Sequence, residues 1–365
     1  MNDAELSPAA GIDWDAVAGR PPFAVDAAAV RARVHGRTVL ITGAGGSLGR
    51  ALSMSLAALE PQRLILFDHH ESSLFRLRQA LLAAHPSVSL QAVLGDVRAE
   101  RRVGAVLERE RPHLIYHLAA YKHVPWGEAD PEAFAEVNVL GTRTVLAAAA
   151  RAGVDQIVYP STDKAIDPPS LYGATKRIVE GMLEAAARSG GPRASIVRLV
   201  NVLGSQGSAP ETFARQIRAG QPLSITHPEM RRYWITPGHA TLLLLHAACF
   251  SDPVVMVAPD TGDEIPTIEI ARRVLRQLRP GSGEPAIVIT GLRAGERLSE
   301  PICAPYERLA PAPLAGVRLV LGRAPVDTRL AADGVERIAR LLADGAPPGA
   351  IRAAVFEVAR ALQWA

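Results

Sequence analysis

Through the first 200 positions, apolar residues alternate between two patterns. The short runs "TVLITG", "RLILFD", "VSLQAVLGD", "HLIYHLA", "QIVYPS" and "ASIVRLVN" read as buried strands. Between them, "SLGRALSMSLAAL", "ESSLFRLRQALLAA", "AERRVGAVLERE" and "PEAFAEVNVLGTRTVLAAAARAG" place apolar residues at helical spacing. Short apolar strands alternating with helices predict βαβ units, and hence an α/β fold with a doubly wound parallel sheet. Before residue 37 the chain is mixed: "GRPPF" breaks it, and "DAAAVRARVHG" reads as a short amphipathic helix. After residue 201 the alternation decays into pieces punctuated by Gly and Pro, with isolated strands at "PVVMVA" and "AIVIT". The expected division is an N-terminal arm over 1–36 and a nucleotide-binding domain over 37–200, joined by returning segments near 235–260. Residues 201–365 mainly form a smaller substrate-binding subdomain.

At 365 residues, with 48% apolar and 21% charged positions, the chain has the profile of a soluble globular protein with a substantial core. The formal charge of +3 is scattered without a long Lys/Arg run, which points away from nucleic acid. Only two cysteines occur, Cys249 and Cys303, with no CxxC or Cys/His spacing, so no metal site is expected. No apolar run reaches the ~18 residues of a membrane span. The N-terminus "MNDAELSPAAGIDWD" is too polar for a signal peptide, and a cytoplasmic location is expected.

The stretch "TGAGGSLG" lies between the first strand and the first helix and spaces Gly43, Gly46 and Gly49 three apart. Glycines there allow a tight turn and close approach of a pyrophosphate to the positive helix N-terminus. Ser47 and Leu48 complete this cofactor loop. Asp68 ends the second strand, where a carboxylate binds ribose hydroxyls and repels a 2′-phosphate, so NAD is expected rather than NADP. His69 and His70 stand next to it and, if protonated, would favour a phosphate. In "GDV", Asp96 with Val97 falls near the adenine.

Tyr172 and Lys176 are spaced to share one helix face. An ammonium beside a phenol lowers the phenol's pKa, and the phenolate can take a hydroxyl proton as hydride leaves the same carbon. Asp163 and Lys164 sit just upstream as an adjacent acid and amine.

Together "TGAGGSLG", "AAYKHVP", "NVLGT", "STDKA", "LYGATKR", "NVLGSQGS", "THPEMRRYWIT" and "GLRAGERLSE" resemble the extended short-chain dehydrogenase/reductases, which have a Rossmann domain. More narrowly they are similar to bacterial UDP-N-acetylglucosamine 4,6-dehydratases, over residues 20–302. The lead-in "GRPPFAVDAAAVRARVHG" resembles that of large membrane-anchored members, whose transmembrane portion this chain is expected to lack. The resemblance implies that Tyr172 takes the proton of the sugar 4-hydroxyl while NAD takes hydride from C4. The ketone acidifies C5, water leaves from C6, and the hydride returns there. It also implies Lys164 as the C5 base, Asp163 as the acid at C6, and Thr162 orienting the 4-hydroxyl. Ala119, Ala120 and Lys122 would border the cofactor together with Tyr172 and Lys176. Lys122 and His123 would meet the sugar, and Asn138 would brace the active-site backbone among the substrate positions. Asn201, Arg232 and Arg293 would contact the diphosphate, and Glu296 the nucleoside. The expected partner is a nucleotide sugar, with a homo-oligomeric assembly.

Several positions depart from the family pattern. Tyr172 replaces the Met of the membrane-anchored branch, and Val200, Gln206, Trp126, Gly127 and Ala294 replace usual residues near the substrate. A nucleotide-sugar 4-epimerase shares the fold, NAD and the Tyr/Lys couple but needs no acid–amine pair. A catalytically silent nucleotide-binding protein would need none of the four reactive residues.

Overall fold

The structure, a computed structural model, describes residues 10–362. The arm before residue 10 lies outside the described residues. In chain order the strands of the large sheet are β1 (Thr38–Thr42), β2 (Arg63–Asp68), β3 (Leu90–Leu94) and β4 (Leu114–His117). They continue with β5 (Gln156–Thr162), β6 (Arg193–Leu199), β7 (Val254–Pro259), β8 (Arg308–Pro311) and β9 (Val317–Leu321). Their spatial order is β8-β9-β7-β6-β5-β4-β1-β2-β3, parallel from β3 through to β7. This is the doubly wound arrangement the alternation predicts, with the chain reversing direction across the sheet between β1 and β4.

Helices α1 (Ser47–Ala57) and α2 (Glu71–Ala84) cover one face, with α3 (Glu100–Glu110), α4 (Gly141–Ala152) and α5 (Leu171–Arg188) on the other. Every residue of β1 and β5 is buried, because helices cover both sides. A smaller part contains α6 (Ala209–Arg218) and α8 (Thr267–Leu278), packed around Phe213, Ile217, Trp234 and Ile270. Between them in the chain, α7 (Pro237–Ala247) returns to the first face of the sheet. The segment "AIVIT" also belongs to the smaller part, where Ile287–Ile289 pairs in parallel with Leu223–Ile225.

The N-terminal segment divides between these bodies. Trp14–Ala18 packs on α8, and Ala27–Val34 buries Val30 and Val34 against the sheet's helices. Residues 308–321 form an antiparallel edge hairpin on the large sheet, and α9 (Thr328–Ala343) and α10 (Pro348–Ala361) pack on α5. The smaller part therefore does not include this last segment.

The continuous helix expected over "PEAFAEVNVLGTRTVLAAAARAG" contains a π-helical turn at Ala135–Leu140. The turn carries Asn138, a frequent use of such insertions at functional sites.

Candidate active site

Two adjoining cavities lie along the carboxyl ends of β1, β4, β5 and β6. They have volumes of about 830 and 380 Å³ and share Gly43, Gly46, Leu118, Ala120, Tyr121 and Gln206. The crevice where strand order reverses is where doubly wound sheets bind their ligands.

The glycine loop forms the floor. Gly43 has φ +67°, and a Cβ there would lie 2.7 Å from the Ala119 backbone nitrogen. A Cβ on Gly49 would meet the Gly43 carbonyl oxygen at 2.3 Å, so this glycine lets α1 pack directly against the loop. Ser47 begins α1, and Ser47 and Leu48 line the larger cavity. This bare, backbone-lined cradle at a helix N-terminus fits a dinucleotide pyrophosphate.

In the smaller cavity Asp68 is buried, accepting the Gly45 and His70 N–H groups at 2.8 Å each. Gly45 was not among the expected residues; a Cβ there would press on Ser73 at 2.9 Å. Asp96 and Val97 also line this cavity. The Arg98 guanidinium, 2.7 Å from Asp96 Oδ2, holds that carboxyl below its usual range.

In the larger cavity the wall brings together Lys122, His123, Thr162, Lys164, Tyr172, Lys176 and Asn201. Lys176 Nζ donates to the Pro160 carbonyl at 2.8 Å and lies 6.0 Å from the Tyr172 ring centroid. Burial pushes Lys176 down to about 7, with Glu180 one turn further along α5 opposing that shift. The expected lowering of the Tyr172 phenol is not found in the chain alone. Burial raises it and Asp163 raises it further, against a hydrogen bond with Thr162.

Asp163 is fully buried one layer behind the wall. Its Oδ1 accepts Lys164 Nζ at 3.0 Å and Thr162 Oγ1 at 2.9 Å, while Oδ2 has no partner. Lys164 Nζ also lies 3.5 Å from Asn201 Oδ1. The side chains come together because β5 ends at Thr162 and a single 3₁₀ turn, Asp163–Ala165, follows directly. Ser170 then caps α5 by accepting the Gly173 N–H.

Asn138 braces the site from the interior and stays off the cavity walls. It accepts the Tyr121 N–H at 2.8 Å and donates to the Tyr121 carbonyl and to Thr175 Oγ1, each at 3.0 Å. Arg232, expected at the diphosphate, lines neither cavity. Its buried guanidinium donates to the carbonyls of Arg231, Arg297 and Leu298, fastening the 297–300 segment. Arg293 and Glu296 lie outside both cavity walls, tied by the Arg293 N–H to Glu296 Oε2 at 3.0 Å.

Trp126 was expected near the substrate, whereas Tyr121, Phe134 and Glu300 were not anticipated. Trp126, Tyr121 and Phe134 add an aromatic side to the larger cavity. Glu300 is buried with Oε2 unpartnered, and burial raises its carboxyl pKa, opposed chiefly by Lys164. Its only sequence signal was its place at the end of "GLRAGERLSE". Among the described residues, no cluster has the makings of a metal site, and no helix is long and apolar enough to cross a membrane.

A doubly wound sheet, a dinucleotide cradle and a Tyr/Lys couple on one helix define an extended short-chain dehydrogenase/reductase of the nucleotide-sugar dehydratase and epimerase class. The chain belongs to the polysaccharide biosynthesis protein family, whose model matches residues 39–317. It is 33% identical to the capsular polysaccharide biosynthesis protein CapD of Staphylococcus aureus, over 79% of this chain and 49% of that protein. It is 31% identical to a UDP-N-acetylglucosamine 4,6-dehydratase (inverting) of Campylobacter jejuni, over 73% of this chain and 77% of the relative. It is also 31% identical to a UDP-glucose 4-epimerase of Rickettsia rickettsii, over 74% and 79%. The solved structure of Pen from Bacillus thuringiensis superposes with a TM-score of 0.71 at 26% identity, covering 80% of this chain and 89% of that one. The chain spans about half the length of the first curated relatives it matches.

Proposed function

We propose that the protein is an NAD-dependent nucleotide-sugar 4,6-dehydratase. Its substrate is a UDP-N-acetylhexosamine, foremost UDP-N-acetylglucosamine, and its product the 4-keto-6-deoxy sugar. One observation carries the reading: Lys164, paired at 3.0 Å with the buried Asp163 behind it, shares a single cavity with Tyr172 and Lys176. An epimerase needs only the second couple.

The cradle from Gly43 to Gly49 would hold the NAD pyrophosphate, with Asp68 at the adenosine ribose. A 2′-phosphate at the ribose would meet the Asp68 charge, which favours NAD over NADP. When bound, NAD supplies a hydride acceptor for C4 and the hydride donor for C6. Tyr172 takes the 4-hydroxyl proton, with Thr162 orienting that hydroxyl and Lys176 supporting the phenolate. Moving one proton across the Lys164–Asp163 contact turns an ion pair into a neutral amine and a neutral acid, with net charge unchanged. The amine then takes the C5 proton. The acid's proton goes to the departing C6 hydroxyl, so water leaves as the C5–C6 double bond forms. Asp163 reaches the cavity through Thr162 Oγ1 and Lys164 Nζ, both hydrogen-bonded to its Oδ1.

The test is incubation with UDP-N-acetylglucosamine in deuterated water, followed by NMR. A 4-keto-6-deoxy product carrying deuterium at C5, with no net consumption of NAD, is expected. A 4-epimer formed without loss of water overturns the reading in favour of the epimerase.

A further inference from the structure

Helix α5 carries both Tyr172 and Lys176, and a charged pair holds its first turn from outside. Glu128 lies on the short helix Val124–Ala129, beside the cavity residues Lys122, His123 and Trp126. Its Oε1 accepts the N–H of Leu171, the residue preceding Tyr172, at 2.7 Å. Its Oε2 pairs with Arg352 of α10 at 2.9 Å. Arg352 is itself stacked over Phe356, with the guanidinium carbon 4.6 Å from the ring centroid. The first N–H groups of a helix have no partner within it, and a carboxylate there also suits the positive helix end. Ser170 satisfies the Gly173 N–H, which leaves the Leu171 N–H to Glu128.

The residues flanking the C-terminal helices grip α5 at two more places. Arg177 donates to the Leu362 carbonyl, and Glu184 accepts the Val326 N–H at 3.1 Å. Between these contacts, Ile351, Ala354, Val355 and Val358 of α10 belong to the same apolar cluster as Leu171, Ala174 and Ile178 of α5. Helices α9 and α10 lie beyond residues 39–317, which the family model matches.

We propose that Glu128 is a positioning residue for Tyr172, set in place by Arg352, so that the C-terminal helical pair fixes the reactive phenol. This rests on the reading of Tyr172 as the group that takes the 4-hydroxyl proton. The clamp joins two sides of the cavity, the segment after β4 and the start of α5. A misplacement of about 1 Å between reacting groups costs up to ~10²-fold in rate. Substitution of Arg352, whose side chain is 45% exposed, leaves the apolar packing of α10 on α5 in place. Positioning and stability therefore separate experimentally.

The experiment follows sugar product by rapid quench in a single turnover of the full, NAD-loaded chain with UDP-N-acetylglucosamine, and with UDP-glucose as a second substrate. The amplitude reports the fraction of competent protein, and the rate constant reports how well Tyr172 is placed. Arg352→Ala and Glu128→Gln are each expected to slow the rate constant by about 3- to 30-fold. Amplitude, bound NAD and half-saturating substrate concentration should stay as in wild type. Arg352→Lys should recover most of the rate. The double variant should be no slower than Glu128→Gln alone, because both substitutions break one contact. Unchanged rate constants beside an active wild type overturn the proposal. So does a loss confined to amplitude and bound NAD, which would mark a purely structural pair. A wild type that converts neither sugar overturns the reading of Tyr172 itself, and the positioning role with it.

Discussion

Tyr172 and Lys164 line the same cavity, yet the order of the proposed chemistry gives their removal opposite signatures. The C5 proton becomes acidic only after C4 is a ketone. Lys164→Ala should therefore still reduce NAD on addition of substrate but accumulate NADH without the 4-keto-6-deoxy product. Tyr172→Phe should not reduce NAD at all, since nothing then takes the 4-hydroxyl proton. Loss of a general base typically costs about 10²–10⁴-fold, so a trace of turnover is compatible. Near-normal dehydration by Lys164→Ala would place the base elsewhere. Both residues were legible in the sequence because chemistry and spacing coincide: a Tyr and a Lys four apart, and an acid–amine pair directly after a strand. Arg232 makes backbone contacts that the sequence did not announce. An Arg in a family-like motif suggests phosphate, but only the fold shows its donors already facing three backbone carbonyls.

At the scale of elements, most strands could be read directly because burial on both faces makes their centres apolar, with polar residues mostly towards their ends. The π-helical turn could not, since "AEVNVL" fits helical spacing and the insertion follows from hydrogen bonds made by distant residues. Beneath it, His117 at the end of β4 fastens three elements together. Its Nδ1 lies 2.7 Å from Thr42 Oγ1 at the end of β1, and its Nε2 lies 2.9 Å from Thr142 Oγ1 in α4. Burial holds its pKa down to about 3, with Lys176 acting in the same direction. An unfolded histidine titrates near ~6.5. Between these values the unfolded chain binds a proton that the native chain does not. The neutral ring's contribution is thus complete above ~6.5 and is lost as pH falls towards 3, by up to about 1.4 kcal/mol per pH unit. Stability measured by urea unfolding at pH 7, 6 and 5 should fall more steeply in wild type than in His117→Gln. Parallel curves would show that this ring does not set the acid limit.

Over the whole molecule, the least legible part was the C-terminal attachment. In "RLAPAPLAGVRLVLG" the Pro and Gly residues mask an edge hairpin, where a proline is tolerated because an outer strand leaves some N–H positions unpaired. Besides the ladder of β9 on β7, a buried charge network that no local pattern announces joins this piece to the sheet. Arg198 of β6 grips Glu307, just before β8, through both oxygens at 2.6 and 3.0 Å, with each side chain 2% exposed. Arg323 lies 3.7 Å from Glu307 and from Glu180, and Glu180 accepts Ser161 Oγ at 2.6 Å beside the reactive end of β5. Removing one member leaves charge buried without compensation, which typically costs about 3–5 kcal/mol. Glu307→Ala is therefore expected to lower unfolding free energy by that amount, with hydrogen exchange rising first in β8 and β9. Replacing the pair together, as Arg198→Met with Glu307→Leu, should recover much of the loss, because no unpaired charge then remains inside. A Glu307→Ala loss below about 1 kcal/mol, the range of an exposed pair, would mean that the apolar contacts of β9 hold the hairpin without this network.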